Sequence, residues 1–138
     1  MTETILDTGP LVAFVDADEQ YHGWAAEQFR RLPAGFVTCE AVLTEAFFLL
    51  GFSAIALKAL SGLLRERHIK VPFRFSDESE AVMQLMRRYH EVPMSFADAC
   101  LVRMAELNQR ASILTLDRHF RIYRKNRRQV IPVVIPHD

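Results

Sequence analysis

Short apolar runs alternate with longer helical runs along this 138-residue chain. The apolar runs are TILD at 4–7, GFVT at 35–38, IKVPFRF at 69–75, ASILTL at 111–116 and VIPVVI at 130–135. Between them, apolar residues recur every three or four positions, which is the spacing of helices with one buried face. Strands that alternate with helices and are apolar on both faces are typical of a parallel sheet covered on each side. The pattern therefore predicts an α/β fold, a three-layer α/β/α sandwich with a central, mostly parallel sheet.

Breakers and caps set the predicted boundaries. Gly9 and Pro10 follow the first strand and favour the start of a helix there. Pro72 indicates that the third strand lies at an edge of the sheet or contains a bulge, and Ser76 is predicted to cap the next helix. Further helices are predicted over 24–32, 40–50, 53–67, 76–88 and 95–109. No repeat or long linker interrupts the chain, so residues 1–138 are predicted to form a single domain.

Composition excludes several classes of protein. With 50% hydrophobic and 25% charged residues, the chain is predicted to be an ordinary soluble protein. No apolar stretch approaches the roughly 18 residues that span a bilayer, and the start lacks the pattern of a secretory signal, so no membrane association is expected. Cys39 and Cys100 have neither metal-ligand spacing nor a disulfide framework, which favours the reducing cytoplasm. The zero net charge argues against strong nonspecific nucleic-acid binding.

Four carboxylates do not fit the local patterns around them. Asp7 and Asp117 follow predicted strands, at the edge of the sheet where open α/β folds bind ligands. Asp98 stands early in a helix, and Glu45 interrupts an apolar helical stripe formed by Val42, Ala46, Leu49 and Phe52. An unpaired carboxylate on such a stripe is costly. We therefore expect the four acids to share a functional role.

Each acid also has a purely structural interpretation. Asp7 is a common type of turn residue, and Asp98 fits a capping box. Asp117 is a suitable cap for a short helix, and Glu45 has a place on a thin polar edge of its helix. Taken together, the acids favour a shared site, because crowded carboxylates repel one another unless a divalent cation neutralises them. Ligands that are all oxygen suit Mg²⁺ or Mn²⁺ rather than Zn²⁺.

Four motifs in this order resemble the PIN-domain ribonucleases, in particular the VapC-type toxins of bacterial and archaeal toxin–antitoxin pairs. The motifs are ILDTGPLVAF with Asp7, TEAFFLL with Glu45, SFADACLV with Asp98, and ILTLDRHF with Thr115 and Asp117. The resemblance covers nearly the whole chain. It implies a Mg²⁺- or Mn²⁺-dependent endoribonuclease, usually a homodimer, that is silenced by a cognate antitoxin whose tail lies across the acidic site.

The resemblance also implies a role for each site residue. Asp7 is the central metal ligand, Asp98 and Asp117 complete the site, and Glu45 binds a metal or orients the water. Thr115 matches a hydroxyl residue of the family and is expected to contact substrate. Many members carry a further acid two positions after the fourth, where this chain has His119. The number of metal ions, one or two, is therefore left open.

A basic segment, DRHFRIYRKNRRQ at 117–129, follows the last acid. Arg118 and Arg121 within it are predicted to guide RNA phosphates toward the metal. The alternatives are a solvated helix and loop, or a contact for an acidic segment of an antitoxin.

Two other functions compete with the ribonuclease interpretation of the sequence. A haloacid-dehalogenase-like phosphatase also begins with an acid at a strand end, but it requires a second Asp where this chain has Gly9. A non-catalytic RNA-binding or protein-interaction module on a PIN-like fold is the other alternative. Metal-dependent cleavage of RNA would distinguish that module from an enzyme.

Overall fold

The computed structural model describes residues 2–137, and its centre is a five-stranded sheet in which all neighbours are parallel. The strands in chain order are β1 Thr4–Leu6, β2 Phe36–Val37, β3 Ile69–Lys70, β4 Ile113–Leu114, β5 Arg124–Lys125, β6 Gln129–Val130 and β7 Val133–Val134. The order across the sheet is β3-β2-β1-β4-β7, while β5 and β6 form a separate antiparallel hairpin.

Six helices flank this sheet, as the predicted α/β/α sandwich requires. They are α1 Thr8–Val15, α2 His22–Arg31, α3 Glu40–Leu49, α4 Ala54–Arg65, α5 Phe75–Arg88 and α6 Phe96–Leu107, with a short 3₁₀ turn at Arg118–Arg121. The α/β fold class is confirmed. Across residues 2–137, none of the helices has the length and apolar character needed to cross a membrane.

The topology places a crevice beside the central strand. From β1 the chain moves to β2 and β3 on one side, and then crosses to β4 on the other side. In register, Ile5 of β1 lies opposite Val37 of β2 and Ile113 of β4. Ligands of open parallel sheets bind where the strand order reverses, outside the carboxyl ends of the strands. Here that position lies beyond β1 and β4, whose next residues include Asp7 and Thr115.

Two predicted boundaries are wrong in detail. Ser76 does not cap α5, because the helix begins at Phe75 and Arg74 occupies the cap position without a side-chain capping bond. The Arg74 Nε instead donates to Asp77 Oδ2 at 3.0 Å. The third strand ends at Lys70, well before Pro72, although its position at the edge of the sheet agrees with the prediction.

The basic segment is largely exposed, but it forms a 3₁₀ turn and a hairpin instead of the helix and loop that were considered. After the 3₁₀ turn it forms the hairpin β5–β6, whose turn contains two positive φ angles, 49° at Asn126 and 73° at Arg127. The ammonium group of Lys125 is buried and donates to the carbonyl of Gln109 at 2.9 Å. The Arg124 guanidinium donates to three backbone carbonyls, those of residues 121 to 123. These two cations therefore hold the hairpin in place.

A row of apolar side chains at the end of α3 and the start of α4 faces solvent. We call this row the apolar ridge, and its side chains are between 54% and 81% exposed. It consists of Phe48, Leu49, Phe52, Ile55 and Leu57. The predicted stripe on α3 is therefore only partly internal, since Val42 and Ala46 are buried whereas Leu49 and Phe52 are not.

Candidate active site

One cavity of about 830 Å³ collects all four carboxylates that the sequence singled out. Asp7 follows β1, Glu45 lies in α3, Asp98 lies in α6, and Asp117 follows β4. The remaining lining residues include Thr8, Phe48, Leu49, Ser95, Arg118 and His119. Arg118 thus lies at the wall of the cavity, while the exposed Arg121 lies outside its lining.

Asp7 is the most deeply placed of the acids. It caps α1, with Oδ1 accepting from the Thr8 backbone N–H at 2.7 Å, and Oδ2 accepts from the Thr115 hydroxyl at 2.6 Å. Burial raises the pKa of Asp7 from 3.8 to about 7, and the charges of Asp98 and Asp117 add to this effect. The two hydrogen bonds oppose the rise. The carboxyl group is therefore poised to lose its proton near neutral pH.

Two threonine hydroxyls fix the orientation of the acids. Thr115 is fully buried, donates to Asp7 and accepts from the backbone N–H of Asp117 at 2.9 Å. This hydroxyl has no exposure to solvent, and the structure shows it joined to Asp7 and Asp117, while the predicted substrate contact of Thr115 stays a prediction. The Thr8 hydroxyl donates to Glu45 Oε1 at 2.6 Å and so joins α1 to α3. No local pattern indicated Thr8, since its partner lies 37 positions away.

Asp98 is held by hydrogen bonds to both its backbone and its side chain. Its backbone N–H donates to the hydroxyl of Ser95, the N-cap of α6, at 3.0 Å, as the predicted cap requires. The hydroxyl of Tyr123 donates to Asp98 Oδ2 at 2.9 Å. Burial, followed by the charge of Asp117, raises the pKa of Asp98 above its usual range. Burial also raises the pKa of Tyr123, so its hydroxyl remains a donor at physiological pH.

The fourth acid begins the 3₁₀ turn. Asp117 Oδ1 accepts from the backbone N–H of His119 at 2.8 Å, so the predicted capping role of Asp117 is confirmed. The imidazole Nδ1 of His119 lies 3.3 Å from the same oxygen. Both side chains are partly exposed, 47% for His119 and 41% for Asp117.

The donor set fits a hard dication. Among residues 2–137, none of the four acids forms an ion pair with lysine or arginine. No charge of that kind therefore offsets their mutual repulsion within those residues. Glu45, Asp98 and Asp117 accept hydrogen bonds at Oε1, Oδ2 and Oδ1, and because a carboxylate offers about four lone-pair sites, each keeps acceptor capacity for a ligand. In the part of the chain that the structure describes, no three His, Cys, Asp or Glu side chains lie close enough together to hold a metal ion as they stand. Divalent ions such as Mg²⁺ often keep several waters and take only one or two carboxylates, so an open acidic cavity is compatible with an ion of this kind.

Comparison with known proteins agrees with this geometry. No curated protein sequence matches the chain significantly. The family model described as the PIN domain matches residues 4–126, a range that includes all four acids and Thr115. PIN domains are generally nucleases that need divalent metal ions. The chain, with its parallel sheet and its acid-lined cavity, belongs to the PIN-domain family.

Proposed function

We propose that this protein is a Mg²⁺- or Mn²⁺-dependent endoribonuclease that hydrolyses RNA phosphodiester bonds. The observation that carries the proposal is the convergence of Asp7, Glu45, Asp98 and Asp117 on one cavity, from four separate elements and without a lysine or arginine partner among residues 2–137. Membership of the PIN family supports nuclease activity in general.

Each acid has a role in the proposed reaction that follows from its position in the cavity. Asp7, deepest and bonded by two donors, is the central metal ligand, and Asp98 and Asp117 flank it. Glu45, fixed by the Thr8 hydroxyl, orients the attacking water or holds its proton. A bound dication would activate water and neutralise charge on the phosphate. Thr115 and Tyr123 keep Asp7 and Asp98 in position for that role.

Arg118 and the hairpin provide the proposed contacts to RNA. Arg118 is exposed at the cavity wall, so it is placed to contact a phosphate near the reacting bond. Arg121, Arg127 and Arg128 are also exposed and extend the basic surface away from the cavity. Contacts of this kind position the RNA without reading its sequence.

Replacement of Asp7 by asparagine tests the proposal. Asp7→Asn keeps the size of the side chain and removes its charge, so RNA cleavage with Mn²⁺ should fall by about 100-fold or more, because loss of a group that only supports a metal ligand already costs about 10- to 100-fold. Cleavage is measured with labelled RNA in Mn²⁺, Mg²⁺ or EDTA, and RNA ends are sequenced after induction in cells. Asp18→Asn, on an exposed loop, is the matched control. A folded Asp7→Asn protein as active as its parent would refute the mechanism.

RNA binding without cleavage is the second candidate function. It is favoured by one observation: among residues 2–137, no three acidic, histidine or cysteine side chains lie close enough together to hold a metal ion as they stand. It predicts RNA binding that is independent of metal and produces no new RNA ends.

We also propose that the protein is the toxin of a type II toxin–antitoxin pair and acts as a homodimer in the cytoplasm. The apolar ridge supports the dimer, because contiguous exposed apolar surface of this kind marks a protein interface. The antitoxin would silence the enzyme by laying its tail across the acidic cavity. The two buried, unpaired cysteines suit a reducing compartment. A small gene that overlaps the upstream end of this one would support the pairing.

A further inference from the structure

Among the residues that line the cavity, His119 is the one whose imidazole ring contacts a proposed metal ligand. Its Nδ1 is 3.3 Å from Asp117 Oδ1, and both residues line the cavity that holds the other three acids. The usual explanation of such a contact is an ion pair between imidazolium and carboxylate. The setting of this pair favours a different role.

The separation of the two atoms matches that of neighbouring ligands. An octahedral ion holds its ligands at about 2.0–2.1 Å, so two adjacent ligands lie about 3 Å from each other. The observed 3.3 Å needs only a small movement to meet this value. Because both side chains are partly exposed, that movement displaces no packed neighbour from the core.

The backbone around His119 is fixed, so the ring begins near this position without an ion. The backbone N–H of His119 donates to Asp117 Oδ1 at 2.8 Å, and its carbonyl accepts from Ile122 at 2.8 Å and Tyr123 at 3.1 Å. The next residue, Phe120, is fully buried and anchors the turn. Only rotation of the imidazole about its side-chain bonds remains free.

A second histidine and carboxylate with the same sequence spacing provides a comparison. His68 Nε2 lies 3.5 Å from Glu66 Oε2, and both of these side chains are more than 60% exposed. That pair lies outside the acid-lined cavity, since His68 lines a mostly apolar pocket beside Phe29 and Leu63. The His68–Glu66 and His119–Asp117 pairs therefore make the same local contact, but only His119 and Asp117 lie in a cavity with further carboxylates.

We propose that His119 Nδ1 is a direct ligand of the same ion as Asp117, which makes the site a mixed nitrogen and oxygen site. Imidazole suits first-row transition metals, whereas carboxylates and water suit Mg²⁺. The site accordingly takes a transition-metal dication, for which Mn²⁺ is the probe, in preference to Mg²⁺. This inference rests on the proposed metal-dependent function and specifies the metal that serves it.

Pulsed electron paramagnetic resonance of bound Mn²⁺ tests this ligand directly, because it detects hyperfine coupling from a coordinated imidazole nitrogen. The unmodified protein should show this coupling. His119→Gln should lose it and should bind Mn²⁺ about tenfold or more weakly. His119→Asp should also lose the coupling, and it should bind Mg²⁺ better relative to Mn²⁺ than the parent does. His68→Gln is the matched control and should retain both the coupling and the affinity.

The outcomes separate this inference from the proposed function. Binding of Mn²⁺ without nitrogen coupling, or coupling that persists in His119→Gln, would overturn the role of His119 and leave the metal-dependent nuclease standing. Failure of the parent to bind Mn²⁺ at all would overturn the proposed function itself. Thermal melting of His119→Gln confirms that it folds, as expected for a change at an exposed side chain.

Discussion

The carboxyl group of Asp7 links the stability of the protein to pH. Its pKa is about 7 in the folded chain, against 3.8 ordinarily, so the folded state holds this proton more tightly than the unfolded state does. Below about pH 4 both states are protonated and Asp7 has no effect on stability. As the pH rises to about 7, ionisation destabilises the fold by up to about 4 kcal/mol, and the cost is constant above that pH.

Metal-free protein should therefore show a larger loss of stability between pH 5 and pH 8 than its Asp7→Asn variant. Urea unfolding in EDTA at the two pH values measures this difference. Asp18→Asn should follow the parent. Added Mn²⁺ should raise the melting temperature more at pH 8 than at pH 5, because the ion competes with the proton for this carboxylate. Equal pH dependence in the parent and Asp7→Asn would contradict the assigned pKa.

Tyr123 tests whether a buried hydroxyl sets the strength of the metal site. Tyr123→Phe removes the donor to Asp98 Oδ2 and should weaken Mn²⁺ binding by about 10- to 100-fold, measured by calorimetry. Tyr89 packs against Tyr123 with ring centroids 5.1 Å apart, and its hydroxyl accepts from the backbone N–H of Arg124. Tyr89→Phe therefore loses a similar hydrogen bond without touching an acid. If both variants lost metal affinity equally, the effect would be structural.

The four acids were predictable as residues because each one violates the pattern around it. Asp7 ends a buried strand, and Glu45 interrupts an apolar helix face. The partners Thr8 and Tyr123 were not predictable, since a hydroxyl that contacts a carboxylate 25 or 37 positions away leaves no local signal. Thr115 was identified only through the resemblance, and its complete burial was not predicted.

At the scale of elements, periodicity predicted the helices and the strands of a parallel sheet, but neither the order of the strands in the sheet nor the hairpin β5–β6. Its turn has positive φ at Asn126 and Arg127 without the glycine that usually marks such turns. The helix start at Phe75 was missed because the pairing of Arg74 with Asp77 takes the place of a serine cap. Helical spacing also cannot distinguish a face buried in the core from one exposed for a partner, which is why Leu49 and Phe52 were expected inside.

The hairpin and the turn before it should govern the salt dependence of RNA binding. Arg121→Ala and Arg127→Ala remove exposed cations, so each should reduce the slope of log affinity against log salt by about 1. Filter binding of the protein to RNA, in EDTA so that no metal ion is bound, measures the slope. Arg31→Ala, an exposed arginine on α2, is the control and should leave it unchanged. An unchanged slope in the hairpin variants would mean that RNA takes another path.

At the scale of the whole molecule, the apolar ridge should decide the oligomeric state. Ile55 is its most exposed member, at 81%, so Ile55→Glu should convert the proposed dimer to a monomer with little effect on folding, within about 0.5 kcal/mol. Light scattering after gel filtration gives the mass, and melting gives the stability. Arg65→Glu, at an exposed position nearly three turns farther along the same helix, is the control for added negative charge. A dimer that survives Ile55→Glu would place the interface elsewhere.

The chain order of the sheet has a consequence for synthesis on the ribosome. The central strand is made first, but its neighbour β4, together with Asp117, comes only after residue 110. A nascent or prematurely terminated product therefore carries three of the acids without the strand that brings the fourth beside them. If the protein is a ribonuclease, it becomes active only after β4 and Asp117 have been synthesised, which protects its own messenger RNA and the translating ribosome until then.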